Sequence, residues 1–232
     1  MSNLYIVGTP IGNLKDITLR ALEVLKMVDI ILCEDTRTTK KLLLRYQIEK
    51  PLLSYHHHSK IQKIDYIISL LREGKNLALV SDSGTPGISD PGNKLVEKVV
   101  NFLNSQVKII PIPGASAITS IVSVSGFPMD RFLFLGFLPK KKNRKNFLKE
   151  VVKSKYPIIF YESPYRIIKT LKELYFEAKN NNLEIQVVVG KELTKKFETI
   201  YRGKIEKVID EIQYDKIKGE FVVVVRKITD KN

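Results

Sequence analysis

The stretch SDSGTPGISDPG, Ser81–Gly92, packs three glycines, two prolines, three serines, two aspartates and one threonine into twelve positions. It follows an apolar run, and an ordinary strand-to-helix join needs only about two to six residues. Glycines bare the backbone amides and carbonyls, while Asp and Ser add fixed polar contacts. That combination suits a polar, zwitterionic small ligand lying against strand ends. A purely structural cluster of turn residues is the competing reading. GTPIGNL, Gly8–Leu14, closes the first apolar run and also lets backbone approach a ligand. It matches neither G-x-G-x-x-G nor G-x-x-x-x-G-K-[ST], which disfavours a P-loop nucleotide hydrolase, and a plain turn explains it equally well. IPGASAITS, Ile112–Ser120, is a third loop of small residues, compatible with ligand binding or with tight packing.

Titratable groups gather at other run ends. CEDTRTT, Cys33–Thr39, places Glu34, Asp35 and Arg37 together, although Asp35 can also simply cap the next helix. FYESPYR, Phe160–Arg166, sets Tyr161, Glu162 and Arg166 at a strand end and helix start, with Ser163 as a cap and Pro164 in the first turn. A solvated Arg166 and a packed Tyr161 are the alternatives. GKELTKKFE, Gly190–Glu198, brings Lys191 and Glu192 after an apolar strand. The triplet His56–His58 raises a metal site, but in extended chain His57 points away from the other two. With no cysteine pair and no H-E-x-x-H helix, no metal is expected. No Ser-His-Asp set or cysteine nucleophile stands out.

The elements that must hold these groups alternate. Strands are expected at Leu4–Gly8, Asp29–Cys33, Leu52–His56, Leu77–Ser81 and Lys108–Ile112. Helices are expected from Asp16 to Val28 (Leu19, Leu22 and Leu25 on the buried face), and over Thr36–Tyr46, Ser59–Arg72, Asp90–Leu103 and Ala115–Ser125. The second half reads as strands at Phe132–Phe137, Pro157–Glu162, Glu184–Glu192, Thr199–Lys204 and Glu220–Val225. Its helices are Pro164–Ala178 and a short one at Glu206–Ile212. The fold class is α/β in two domains, divided near Gly126–Pro128. Residues 1–126 form an open, mainly parallel sheet with flanking helices, and residues 127–232 an α/β domain with a mixed sheet.

Composition narrows the partners. Thirty-nine Lys and Arg against 25 Asp and Glu leave a net charge of +14, which attracts polyanions such as RNA, unless the lysines merely solvate the surface. No apolar run approaches the roughly 18 residues of a membrane span. MSNLYIVGTP does not read as a signal peptide, and the single cysteine, Cys33, fits a reducing cytoplasm.

VGTPIGNLKDITLRAL, CEDTRTT, SDSGTPGISDPG, PGASA, FYESPYR and GKELTKKFET occur here in order. In that series the chain resembles the ribosomal RNA small-subunit methyltransferase I family of the tetrapyrrole methylase superfamily, from about Leu4 to Val225. The resemblance implies a tetrapyrrole-methylase-like fold, with S-adenosylmethionine in the cleft between two α/β domains, and a homodimer. It further implies cytidine ribose 2′-O-methylation in the decoding region of 16S rRNA, within the 30S subunit. Cofactor contacts carried over are Pro10, Asp82, Gly84, Thr85 and Ile88, with Ser116 and Ala117 in PGASA, and Tyr161, Lys191 and Glu192 on the later motifs. Glu162 is the first choice of proton acceptor for the ribose hydroxyl, ahead of Glu34 and Asp35. Arg37, Arg166 and the stretch with Lys140, Lys141, Lys142, Arg144 and Lys145 are the candidate RNA contacts. HHHS stands at 56–59 where the family commonly has a pattern like H-E-H-N, and many members continue past the GEFVVVV strand. The rival readings are a corrin or porphyrin precursor methyltransferase and a noncatalytic RNA-binding protein.

Overall fold

The computed structural model describes residues 1–56, 61–103 and 106–228. Two compact units divide it, Met1–Ser116 and Ala117–Asn232. The division falls ten residues before the expected end of the first domain at residue 126. The reason is helix α5, Ala117–Ser123, whose fully buried Ile121 packs on strands of the second unit.

The first unit is a parallel sheet in the order β3-β2-β4-β1-β5. Its strands are β1 Ser2–Val7, β2 Ile30–Cys33, β3 Leu52–Ser54, β4 Leu77–Leu79 and β5 Val107–Ile112. Both faces are covered, so alternate residues of one strand enter different cores. Leu4, Leu77 and Leu79 pack with α3 (Ile61–Arg72) and α4 (Gly92–Leu103), whereas Tyr5, Val7 and Ala78 pack with α1 (Leu19–Met27) and α2 (Thr36–Arg45). The apolar face of α1 differs from the expected one. Ala21, Val24, Leu25 and Val28 are buried, while Leu19 is 80% exposed. A 3.6-residue turn favours steps of three and four, and a pure step of three drifts off the face. Asp16 lies in a short 3-10 turn, Leu14–Asp16, and Thr18 caps α1 instead, its hydroxyl accepting from Ala21 N at 3.1 Å.

The second unit is a mixed sheet in the order β6-β7-β10-β8-β9. β6 is Leu133–Phe137, β7 Ile158–Glu162, β8 Ile185–Lys191, β9 Thr199–Lys204 and β10 Phe221–Lys227. β6 and β7 are parallel, and the other pairs are antiparallel. Phe221, Val223 and Val225 of β10 face a core shared with α6 (Arg144–Lys153), α7 (Ile167–Asn180) and α8 (Ile205–Gln213). Val222 and Val224 are equally buried on the other face, where α5 lies. Coverage on both sides is why FVVVV is apolar without alternation. Helix α6 is absent from the sequence reading, although Leu148, Val151 and Val152 supply its buried face. The lysines before it mask that periodicity. Helix α7 starts at Ile167, three residues after the expected Pro164, because the Ser163 carbonyl closes a turn by accepting from Arg166 N and Ile167 N.

Candidate functional site

In the first unit, β1 and β2 lead into helices on one face of the sheet, whereas β4 leads to α4 on the other. The chain after β4 therefore diverges from both neighbours, which opens a crevice at the carboxyl ends of the strands, where open α/β sheets bind ligands. The loops GTPIGNL, CEDTRTT and SDSGTPGISDPG all meet there. Thr9 N donates to Gly84 O at 2.8 Å, and the Thr9 hydroxyl donates to the carbonyls of Ser81 and Gly84, both at 3.1 Å. Asp35 N donates to Asp82 Oδ1 at 3.1 Å, joining the β2 loop to the β4 loop. At the β5 end the backbone contact is closer still. A Cβ on Gly8 would stand 2.8 Å from Gly114 Cα, and one on Gly114 would stand 2.6 Å from Gly8 O. Those glycines let strand ends touch.

The β4 loop is braced from within. Asp90 Oδ1 accepts from Gly87 N and from Gly92 N, and Asn93 Nδ2 donates to Gly87 O at 2.8 Å. Gly84 itself has φ +83, a left-handed conformation that favours glycine. Of the expected cofactor contacts, Pro10 and Gly84 are buried, Thr85 and Ser116 half-buried, and Asp82 and Ile88 exposed.

Four carboxylates, those of Glu34, Asp35, Asp82 and Asp90, stand on the loops at this crevice. Burial pushes the Glu34 carboxyl above its ordinary value, and the charges of Asp90 and Asp82 push it the same way. Asp35 is different. It caps α2 by accepting from Arg37 N at 2.8 Å, and its Oδ2 takes Arg37 NH2 at 2.6 Å. These bonds to Arg37 hold the Asp35 carboxyl down to about 2. A proton acceptor with so low a pKa is a weak base, so the capping role is the one the geometry supports. Arg37 remains 87% exposed. Burial raises the Cys33 thiol, in keeping with a small apolar residue in the core.

The sequence motifs of the second unit assemble differently from the sequence reading. Register places Glu162 of β7 and Lys191 of β8 level with each other, both opposite Phe221 of β10. Glu162, read as the first-choice proton acceptor, is 1% exposed, and both of its oxygens are hydrogen-bonded. Its Oε1 accepts from Ser163 N and Arg166 NH2, each at 2.7 Å, and its Oε2 accepts from the Thr170 hydroxyl at 2.7 Å. Arg144, read as an RNA contact, is buried beneath it. That guanidinium donates to Thr170 Oγ1 at 2.7 Å, Pro139 O at 3.0 Å and Glu173 Oε2 at 2.8 Å. Charges removed from water persist only when paired and hydrogen-bonded, and this network supplies those partners to both side chains. Arg166 is partly buried in the same network, whereas Lys140, Lys141, Lys142 and Lys145 are exposed. Nothing in the spacing of Arg144, Glu162 and Thr170 announces this network.

Lys191 and Glu192 likewise have partners within the unit. Lys191 Nζ lies 2.5 Å from Asp215 Oδ2, which also takes the Tyr201 hydroxyl. Glu192 Oε1 accepts from Lys195 Nζ at 2.8 Å and Glu220 N at 2.9 Å. Tyr161 packs edge-on against Phe134, ring centroids 5.0 Å apart, and beside Phe137 at 5.3 Å. Ala117 opens α5. His56 is exposed, and His57 and His58 lie outside the described residues. Among the described residues, no cluster of His, Cys, Asp and Glu has the arrangement of a metal site. None of the helices described is long and apolar enough to cross a membrane.

The Lys191–Asp215 pair carries a pH signature. The hydrogen bond from Lys191, then that from Tyr201, lowers the Asp215 carboxyl from 3.8 to about 2. A carboxylate depressed on folding stabilises above its unfolded pKa and loses that contribution as pH falls. Asp215→Asn is therefore expected to be less stable than wild type at pH 7. The gap should narrow between pH 4 and 2 in urea unfolding followed by circular dichroism. A gap constant down to pH 2 would refute the pairing.

The sequence model of the Tetrapyrrole (Corrin/Porphyrin) Methylases matches residues 3–209. The chain belongs to that family. Among tetrapyrrole methylase relatives, a Thermotoga maritima protein named ribosomal RNA small subunit methyltransferase I is 46% identical over 228 residues, covering 97% of this chain and 98% of its own. A Bacillus subtilis protein of the same name is 46% identical over 226 residues, which cover 97% of this chain and 75% of that one. Relatives thus differ in length beyond the shared part. Among solved structures, a cobalt precorrin-4 methyltransferase of cobalamin biosynthesis superposes with a TM-score of 0.67 at 20% identity, covering 96% of this chain and 94% of that one. A Thermus thermophilus uroporphyrin-III-C-methyltransferase gives 0.62 at 16% identity, covering 96% and 93%. At these identities the likeness is one of fold, which by itself does not choose a substrate.

Proposed function

We propose that this tetrapyrrole methylase family member transfers a methyl group from S-adenosylmethionine to the ribose 2′-hydroxyl of a cytidine in the decoding region of 16S rRNA. In this reading it acts as a cytoplasmic homodimer on the 30S subunit. The observation that carries the proposal is a contrast of charge. An acid-lined crevice at the ends of β2 and β4 sits in a chain of net charge +14. The negative lining suits a cationic donor bearing a sulfonium and an ammonium, and the basic remainder suits a polyanionic acceptor. The names of relatives 46% identical point to the same acceptor class.

The residues fit the donor. Pro10, Gly84 and Thr85 offer close backbone at the strand ends, and Asp82 offers an exposed carboxylate fixed by Asp35 N. S-adenosylmethionine supplies an electrophilic methyl group, so the protein has two tasks. It must align the acceptor oxygen, for which positioning contributes up to roughly 7–11 kcal/mol, and it must take the hydroxyl proton. Glu162 is engaged with Arg166 and Thr170, and Asp35 with Arg37, which leaves Glu34 as the carboxylate of raised pKa at the crevice. We assign it the proton.

The test is incubation with radiolabelled S-adenosylmethionine and 30S subunits from cells lacking this methyltransferase. Label mapped to a cytidine ribose is expected. Label in a tetrapyrrole precursor instead, or cofactor binding with no RNA labelling, would refute the assignment of substrate.

A further inference from the structure

We propose that Tyr165 is a base-stacking residue, taking an unpaired nucleobase of the acceptor RNA beside the lysine-bearing loop 139–143. This rests on the RNA reading above and adds a specific contact to it. Tyr165 is 95% exposed, in the turn between β7 and α7. A single exposed aromatic is ordinary by itself. Its mounting is what distinguishes it. Arg166, the next residue, donates to Leu138 O at 3.1 Å and to Glu162 Oε1 at 2.7 Å. Arg144 donates to Pro139 O at 3.0 Å and shares Thr170 with Glu162.

One buried carboxylate therefore ties together two surface segments, the turn bearing Tyr165 and the start of the loop bearing Lys140, Lys141 and Lys142. Between residues 139 and 149 there is no acidic residue, and all three of these lysines are exposed. The result is an exposed ring carried on a braced turn, which the same buried network ties to the segment that leads into the lysines. A tyrosine has only two side-chain torsions to immobilise, so presenting it on a braced turn costs little entropy on binding. Lysines that meet phosphates, with an aromatic face that meets a base, are how proteins hold single-stranded nucleotides. The ring recognises a stacked base of any identity, and the lysines recognise the backbone that carries it.

The two contributions separate by salt. The experiment is binding of purified 30S subunits lacking the modification, measured by filter retention from 50 to 200 mM salt. It uses wild type, Tyr165→Ala, Tyr165→Phe and the combined Lys140→Gln, Lys141→Gln, Lys142→Gln protein. Tyr165→Ala should weaken binding by roughly 5- to 150-fold with an unchanged salt slope. Tyr165→Phe should bind like wild type, because the face and not the hydroxyl is used. The lysine variant should show a shallower slope. Wild-type affinity for Tyr165→Ala, with the lysine effect intact, would overturn the stacking role and leave the RNA reading standing. Equal weakening by Tyr165→Phe would overturn it too, since a hydroxyl contact would then be at work. No binding by wild type would sink both proposals together.

Discussion

Glu34→Gln is expected to lower turnover by about 100- to 10,000-fold while S-adenosylmethionine affinity stays near wild type. Removing a positioned base costs the proton transfer and little of the donor's binding. Glu34 is half-buried at the end of β2, and its carboxyl is raised first by burial and then by Asp90 and Asp82. The direction of that shift gives two further marks. Wild-type turnover should fall as pH drops through a value above the ordinary 4.5, because the base form is lost there. Stability moves the other way. A carboxyl whose pKa rises on folding favours the folded state most when protonated, and that contribution is lost as pH rises. At pH 7 the neutral glutamine should be as stable as wild type or more so, so lost activity cannot be blamed on unfolding. Single-turnover methylation, calorimetric titration of the cofactor and thermal melting together make the test. Wild-type turnover in Glu34→Gln would end the assignment, and an equal loss of affinity would make Glu34 a binding residue instead.

The second large effect lies in the other unit and is one of stability. Glu162→Ala should destabilise the protein by about 3–5 kcal/mol, because it leaves Arg144 and Arg166 without their shared carboxylate. Arg144 is 9% exposed in its side chain, so water cannot replace the lost partner, although Glu173 retains one of its bonds. Urea unfolding measures the loss. A stable but inactive Glu162→Ala protein would return Glu162 to the role of proton acceptor. A loss below about 1 kcal/mol with normal activity would mean the network is dispensable.

These two carboxylates show where sequence reading reached and where it stopped. FYESPYR and CEDTRTT both mark charged residues at strand ends, and both do lie there, Glu162 closing β7 and Glu34 following β2. Their surroundings differ, Glu162 being buried and hydrogen-bonded and Glu34 half-buried. Glu162 is engaged because Thr170, eight positions on, and Arg144, eighteen positions back, converge on it through α7 and α6. A linear motif cannot carry that information, since it depends on how two helices lie across one sheet. Asp35 was legible as a helix cap because capping is local, needing only a side chain two residues before the amide it serves. The first α-helix fits the same rule from the other side. Thr18 caps it through a local hydrogen bond, and its buried face at Ala21, Val24 and Leu25 follows a 3.6-residue period from which steps of three starting at Leu19 drift.

What the sequence determined by itself is the family, the succession of α/β units and the strand-end placement of its motifs. Those depend on local periodicity and on short residue patterns, which persist when the chain is written as a line. Tertiary structure decided where a crevice can open in the first sheet, because that needs the chain after β4 to turn to the opposite face from that after β1 and β2. It also decided which charges remain available. Desolvation and partnership are properties of a side chain's surroundings, and residues far apart in sequence supply those surroundings.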